Sequence, residues 1–313
     1  MIKKISRLIG VVIIILILRK LDFSEIKEIV LKADKYYLAL GLSLTLVSAF
    51  IKSVRWNYLK RIQNINYSIK NSFIMYCAGI LLGIITPGRL GELAKIFYIK
   101  KDGYSYGKSA LSIIFDRIFD IVFLIVFSVL GMFFFINFFE KGVILTIISI
   151  PFIFIILYFV IRNNLIKSFF SKIFNFLIPV KYQKSWQINT QDFIDDWKKF
   201  KRQNYIYVIA ITSLAWLIYY CQVFILAKSL NLNIPFLYLA VSVTIAGIVS
   251  MIPISYSGIG TRDLILISLF SIISISQEMT IAFSSLILST HLIMVVVGFF
   301  CWLKKPISFD KNK

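Results

Sequence analysis

Apolar runs of roughly 20 residues recur along this 313-residue chain, each long enough to cross a hydrocarbon core about 30 Å thick. Lipid offers a bare backbone no hydrogen bonds, so such runs must span as helices or close into a barrel. They are continuous rather than alternating in ten-residue segments, which selects helices. With 59% hydrophobic residues, the chain has too little polar surface to cover a soluble globule. The expected fold is all-α, a polytopic integral membrane protein.

Six spans are predicted, at approximately 2–20, 36–54, 110–138, 143–161, 205–228 and 280–302. Two further apolar regions, 71–99 and 236–273, are interrupted by glycine-rich breaks. The N-terminal run has the basic and apolar parts of a signal peptide, but no small-x-small site precedes Arg19-Lys20, so a retained anchor is expected. Ile26, Ile29, Val30 and Ala33 then share one face of an amphipathic helix at the membrane surface. Residues 162–204 form a basic amphipathic linker, with Ile166, Phe169, Phe170 and Ile173 opposite Lys167 and Lys172. The chain divides into a first half (1–161), that linker, and a second half (205–302) of a single membrane domain over 1–313.

The net charge of +20 could suggest nucleic acid, but the basic residues lie between apolar runs and no nucleic-acid motif occurs. There they can orient helices and meet anionic headgroups. If both termini are cytoplasmic, 26 Lys and Arg lie inside and eight outside, with Arg117 within a span. That bias predicts a multi-pass plasma-membrane protein, and it requires both broken regions to be re-entrant. Region 71–99 then enters and leaves from the inside, and 236–273 from the outside. A span, a hairpin and a span make one unit, repeated upside down. Transporters that place substrate between paired interrupted helices share this inverted-repeat logic.

The break Ile85-Thr86-Pro87-Gly88-Arg89-Leu90-Gly91-Glu92 carries the first chemistry. Thr86 is placed to cap a helix over 87–99, where Pro87 at the first position loses nothing by lacking an N–H. That helix start, with Arg89 beside it, makes an anion site. Gly88 and Gly91 admit a close neighbour, and Glu92 can pair with Arg89 along one face. The second break repeats the pattern. Pro253 ends a half-helix, Ser257, Gly258 and Gly260 turn the chain, and Thr261 is placed to cap a helix carrying Arg262 and Asp263. A third cluster lies on one span, where Asp116 and Asp120 share a face and Arg117 can reach Asp120. For each cluster the alternative is an ion pair kept for packing. Arg55-Trp56 fits an inner-interface anchor, and His291 an interior histidine. Cys77, Cys221 and Cys301 match no metal or disulfide pattern. No catalytic constellation, metal site or cofactor motif is visible.

From about Trp56 to Gly298, the chain resembles the lysylphosphatidylglycerol synthase transmembrane, or flippase-like, family, which includes the membrane flippase domain of the multiple peptide resistance factor. The resemblance rests on Arg55-Trp56, Pro87-Gly88-Arg89-x-Gly91-Glu92, Asp116-Arg117…Asp120 and Pro253…Gly258-x-Gly260-x-Arg262-Asp263. It implies movement of aminoacylated or otherwise modified phospholipids between leaflets, often beside a separate lipid synthase, in an antibiotic-resistance context. It also implies that Arg89, Glu92, Arg117, Asp120, Arg262 and Asp263 line the headgroup path, and the residues add Asp116 to that cavity. The expected partners are membrane phospholipids, anionic or aminoacylated. Two other readings stay open: a phosphatidylglycerol lysyltransferase or related lipid-modifying enzyme, and a membrane scaffold for such a synthase. Full-length lysyl transferases carry a soluble catalytic domain after the membrane part, and this sequence ends in a short basic tail at Lys313, which weighs against lysyl transfer.

Overall fold

The computed structural model describes residues 28–84, 86–134, 199, 201–251 and 258–306, with only the backbone at 87–90, 106 and 132–134. The spans expected at 2–20 and 143–161, and nearly all of the 162–204 linker, lie outside the described residues. Among the described residues every regular element is helical and no strand occurs. In order these are α1 (Lys35–Ile62), α2 (Ile69–Ile84), a 3-10 helix (Pro87–Ala94), α3 (Lys95–Lys101), α4 (Tyr106–Phe134), α5 (Arg202–Ser229), α6 (Phe236–Ser250), α7 (Thr261–Ser271) and α8 (Gln277–Lys304). Helices α1, α5 and α8 are each long and apolar enough to cross a membrane. They contain the spans expected at 36–54, 205–228 and 280–302. The span expected at 110–138 begins within α4.

A stripe of small residues shapes the centre. Gly41, Thr45, Ser48, Ala49 and Ser53 of α1 are buried, and α1 packs along α5 more extensively than any other helix pair. Small side chains let two backbones approach where lipid supplies no hydrophobic drive between helices. The pair is antiparallel. Asp34, which caps α1 by accepting from the Tyr36 and Tyr37 amides, also donates its own N–H to the Ser229 carbonyl at the far end of α5. At the other end, Asn204 of α5 donates to the Tyr58 hydroxyl at 2.8 Å. Ile29, Val30 and Ala33, expected to face a membrane surface, pack against the cluster formed by α5 to α8.

The two halves repeat. Both boundaries of α1 recur 167 residues later as the boundaries of α5, from 35 to 202 and from 62 to 229. Both helices close on a left-handed asparagine, Asn64 at φ 59° and Asn231 at φ 58°. Each closure uses the same two bonds, Ile65 N–H to Lys60 and Asn64 N–H to Arg61, then Leu232 N–H to Ala227 and Asn231 N–H to Lys228. The offset also relates Gly131 of α4 to Gly298 of α8. A Cβ on Gly131 would strike Val241 of α6, and one on Gly298 would lie 2.6 Å from the Cys77 carbonyl of α2. Helices α4 and α8, equivalent by this offset, are thus each seated on the first leg of the other half's hairpin.

Each hairpin returns against its own first leg. In the first, Gly83 faces Glu92 and Gly79 faces Lys95. At its tip the Thr86 hydroxyl donates to the Leu82 carbonyl at 2.8 Å and accepts the Gly91 N–H at 2.6 Å. In the second, Gly258 abuts Ser250, and the Tyr238 hydroxyl donates to the Leu269 carbonyl at 2.6 Å. Outside the long helices, the Tyr67 hydroxyl donates to Asp102 beside the first hairpin's exit. Burial, then this bond, holds the Tyr67 phenol far above its ordinary range, so it remains a donor.

A Cβ on Gly91 would run into the Leu82 carbonyl and lie 2.7 Å from Thr86 Oγ1, whereas one on Gly247 meets nothing within 4 Å. Gly91→Ala should therefore lower stability by about 1–3 kcal/mol, read as a lower unfolding midpoint in detergent. Gly247→Ala should leave the midpoint unchanged or raise it. Equal midpoints for the two would refute the close approach at the hairpin tip.

Candidate functional site

Helix α1 carries Arg55 into the interior, where its side chain is fully buried. Helix α4 meets it with Asp116 and Asp120, one turn apart on a single face. Arg55 Nε donates to Asp116 Oδ1 at 2.9 Å, and Nη1 donates to Asp120 Oδ1 at 2.8 Å and to Thr212 Oγ1 of α5 at 3.0 Å. Nη2 donates to Asp120 Oδ2 and to the Asp116 carbonyl, both at 3.0 Å. All three guanidinium nitrogens are thereby committed, which offsets much of the cost of desolvating the charge. Asp120 also accepts from Trp216 Nε1 at 3.0 Å and faces Lys52 Nζ at 3.9 Å. One arginine thus fixes the register of α1, α4 and α5.

The repeat shows in these polar contacts too. Gln222 stands 167 residues after Arg55, and Thr212 the same distance after Thr45. Arg55 bonds Thr212, and Gln222 Nε2 donates to Thr45 Oγ1 at 2.7 Å. The two bonds are counterparts across the α1–α5 pair, one charged and one neutral.

From the first hairpin, Glu92 and Lys95 enter the same interior. Their side chains occupy the room left by glycine, since a Cβ on Gly83 or Gly79 would lie 2.5 Å from Glu92 Cγ or Lys95 Cγ. Lys95 Nζ lies 3.4 Å from Glu92 Oε2 and 3.8 Å from Asp116 Oδ2. Glu92 is also paired with Arg117. The second hairpin contributes a smaller cluster. Arg262 pairs with Asp263 at 3.2 Å and donates to the Ser284 hydroxyl and carbonyl, while Ser284 donates to Asp263. Arg262 stands 167 residues after Lys95, so the two cations occupy equivalent positions of the two hairpins.

Between the hairpins lies a cavity of about 180 Å³. Its wall includes Ser48 and Lys52 of α1, Glu92, Arg117 of α4, Trp216 and Tyr219 of α5, Gly247 of α6, Arg262 of α7, and Thr290 and His291 of α8. Engineered cavities of about 150 Å³ accommodate benzene, so this one has room for a compact headgroup and none for acyl chains. Two buried donors on its wall residues, Arg117 Nε and Arg262 Nη1, have no hydrogen-bond partner among the described residues.

The expected site residues fall into three groups. Glu92, Arg117 and Arg262 line the cavity, while Asp116, Asp120 and Asp263 stand behind it, holding cations. Arg89 shares the 3-10 helix backbone with Pro87 and Gly88, and its side chain lies outside the described residues, as do Pro253 and Ser257. Several local expectations are corrected. Arg117 pairs with Glu92 rather than Asp120, because Asp120 is taken by Arg55. The stretch expected as one helix over 87–99 is a 3-10 helix followed by α3, the thinner winding accompanying the close approach of Gly91 to α2. Thr86 holds the tip through Gly91 rather than capping the first turn. At the second break Gly260, at φ 86°, is the N-cap and Thr261 the first helical residue, and the Asp263 carboxylate receives the Gly260 N–H at 2.8 Å. Gly258, at φ 78°, supplies the other left-handed position of that turn.

Sequence reasoning missed Arg55, taken for an interface anchor, and passed over Lys52, Lys60 and Lys95. Lys60 is fully buried, with Nζ 2.8 Å from Ser72 Oγ and 3.7 Å above the Trp56 ring. The signal available was spacing, since Lys52, Arg55 and the small-residue stripe share the buried side of α1.

The pattern of a family described as "Lysylphosphatidylglycerol synthase TM region" matches residues 5–298. The UPF0104 membrane protein PH1989 of Pyrococcus horikoshii is 23% identical over 301 residues, covering 89% of this chain and 90% of that one. The UPF0104 membrane protein MJ1595 of Methanocaldococcus jannaschii is 21% identical over 321 residues, covering 98% and 96%. No solved structure matches the chain.

Removing one member of a buried ion pair strands the other, at a cost of roughly 3–5 kcal/mol. Arg55→Gln should depress the unfolding midpoint in detergent far more than Arg61→Gln, on an exposed residue of the same helix. Arg55→Lys should fail to restore it, since one ammonium cannot reach both carboxylates, Thr212 and the Asp116 carbonyl. A midpoint for Arg55→Gln equal to that of Arg61→Gln would contradict the assignment.

Proposed function

Because the chain belongs to the lysylphosphatidylglycerol synthase transmembrane family, we propose that it moves a phospholipid between membrane leaflets, lysylphosphatidylglycerol being the lipid the family's description suggests and the cavity's own charges favouring an acidic one. The observation that carries the reading is the charged cavity between two broken elements. Glu92 and Arg262 are buried in an apolar bundle and line that cavity, a cost that meeting polar cargo there would offset. A protein meant only to anchor would be more stable with apolar residues at those positions.

The proposed orientation has both termini cytoplasmic in the plasma membrane. Six helices cross, and the hairpins over 71–99 and 236–273 re-enter from opposite sides. The antiparallel α1–α5 pair, the offset of 167 residues and the reciprocal seating of α4 on α6 and α8 on α2 support an inverted repeat of this kind. In such a repeat, a headgroup is held near the midplane while the two units rock about the central pair. Acyl chains stay in lipid, since the cavity has no room for them. Arg117 and Arg262 approach the headgroup from the two halves. Glu92 keeps Arg117 and Lys95 in place, and Asp263 keeps Arg262 in place. The paired acids offset part of the cations' charge and limit their desolvation cost.

Vesicles carrying the purified protein and a fluorescent phospholipid in both leaflets give the test. With a membrane-impermeant quencher outside, quenching should exceed the outer-leaflet fraction for wild type and for Arg61→Gln. For Arg117→Gln and Arg262→Gln it should fall at least about tenfold in rate, as expected for losing a charge-assisted contact worth about 1.5–3 kcal/mol. Exchange unaffected in both variants would remove the cavity from the mechanism. Absence of exchange with every phospholipid tried would favour a lipid-modifying enzyme or a scaffold.

A further inference from the structure

The charged groups around the cavity are unequally committed. Five cations and four carboxylates meet there: Lys52, Arg55, Lys95, Arg117 and Arg262 against Glu92, Asp116, Asp120 and Asp263. Every carboxylate is already engaged by protein. Asp116 and Asp120 hold Arg55, with Lys95 and Lys52 as second neighbours. Glu92 holds Lys95 and Arg117. Asp263 holds Arg262, Ser284 and the Gly260 N–H. The cavity wall itself carries Lys52, Arg117 and Arg262 against Glu92 alone.

Aromatic faces are the other means of holding an ammonium group, and those of Trp216 and Tyr76 on the wall are taken by lysines. Lys52 lies 4.3 Å above Trp216, and Lys60 lies 3.7 Å above Trp56. Lys95 lies 4.6 Å from the Tyr76 ring centre. A cationic substituent entering the cavity would have to break one of these pairs or sit unpaired beside three like charges. Behind the wall, Asp116 Oδ2 also lacks a hydrogen bond, with Lys95 Nζ 3.8 Å away, but the unsatisfied groups on wall residues are of the opposite kind. Arg117 Nε and Arg262 Nη1 are buried N–H donors without acceptors, on wall residues from the two halves of the repeat. Arg262 is itself 6% exposed. Unfilled buried donors on cationic groups call for an anionic oxygen acceptor.

We infer, resting on the translocation reading above, that this cavity accepts a phosphate carrying no compensating ammonium, as in an acidic phospholipid headgroup, and discriminates against aminoacylated or zwitterionic lipids. The phosphate oxygens take the two unfilled guanidinium donors, one from α4 and one from α7, as these side chains turn towards it, and Lys52 adds charge without leaving Asp120. The discrimination is electrostatic: a lysyl substituent brings positive charge to a wall with a net positive balance and no open carboxylate.

Native mass spectrometry of the intact chain in detergent, titrated separately with phosphatidic acid, phosphatidylglycerol, phosphatidylethanolamine, lysylphosphatidylglycerol and inorganic phosphate, tests this without transport. Phosphatidic acid and phosphatidylglycerol should bind at least about tenfold more tightly than the two ammonium-bearing lipids, the ratio expected for one charge-assisted contact. Arg262→Gln should erase that preference and Arg262→Lys should keep most of it. Should Arg262→Gln fail to fold, the wild-type ranking decides alone. Lysylphosphatidylglycerol or phosphatidylethanolamine binding as tightly as phosphatidylglycerol would overturn the inference. Binding of inorganic phosphate that competes with the acidic lipids supports the same anion site. If such binding accompanies a lack of leaflet exchange, the anion site stands and the translocation reading falls.

Discussion

A guanidinium buried in an apolar bundle must place nearly all of its N–H donors or forfeit several kcal/mol, and Arg55 places donors on all three of its nitrogens. Its acceptors come from α4 and α5, so the bond set is possible only at one register of three helices. Much of the interior follows from that register. Asp120 is in place for Trp216 and Lys52, and Asp116 presents its second oxygen to Lys95. Lys95 and Arg117 then position Glu92 at the cavity wall. The apolar packing of these helices is permissive by comparison, since exposed Ile118, Val122, Val126 and Leu130 give α4 one continuous lipid-compatible side.

The 167-residue repeat makes a near-symmetric frame, and the charges break the symmetry. Arg55 and Gln222 occupy equivalent places, as do Lys95 and Arg262, and Arg117 and Ser284. The first half therefore carries a large ionic network and the second a small, nearly neutral one, although the second hairpin brings Arg262 to the cavity wall and the first holds Lys95 behind Glu92. A headgroup between them meets donors from each half but a stronger field from one, which distinguishes the two faces of an otherwise exchangeable pair.

Much of the frame was legible in the sequence because it depends on run length and on glycine. The uninterrupted spans at 36–54, 205–228 and 280–302 lie within α1, α5 and α8, and the glycine-rich breaks separate α2 from the 3-10 helix and α6 from α7. Asp116 and Asp120 share a face, as a four-residue spacing requires. What was not legible depends on long-range pairing. The first span was ended at residue 54 because a charge cluster follows, yet α1 continues to Ile62 with Arg55 and Lys60 fully buried. A charge at the end of an apolar run has the same local pattern whether water or a distant carboxylate receives it. Arg117 and Glu92, 25 residues apart, have no local signature at all. The capping roles at the second break shifted by one residue for a local reason. Gly260 can take the left-handed turn that Thr261 would resist, leaving Asp263 to receive the free N–H.

Translocation of the kind proposed requires one cavity to serve both sides of the membrane. Ser48 on its wall offers the most direct measurement. With Cys77, Cys221 and Cys301 replaced and Ser48→Cys introduced, reconstituted protein of known orientation is exposed to a membrane-impermeant thiol reagent from one side and then from the other. The account predicts labelling from both sides. Labelling from one side only would contradict it and leave a binding or scaffolding role for the cavity.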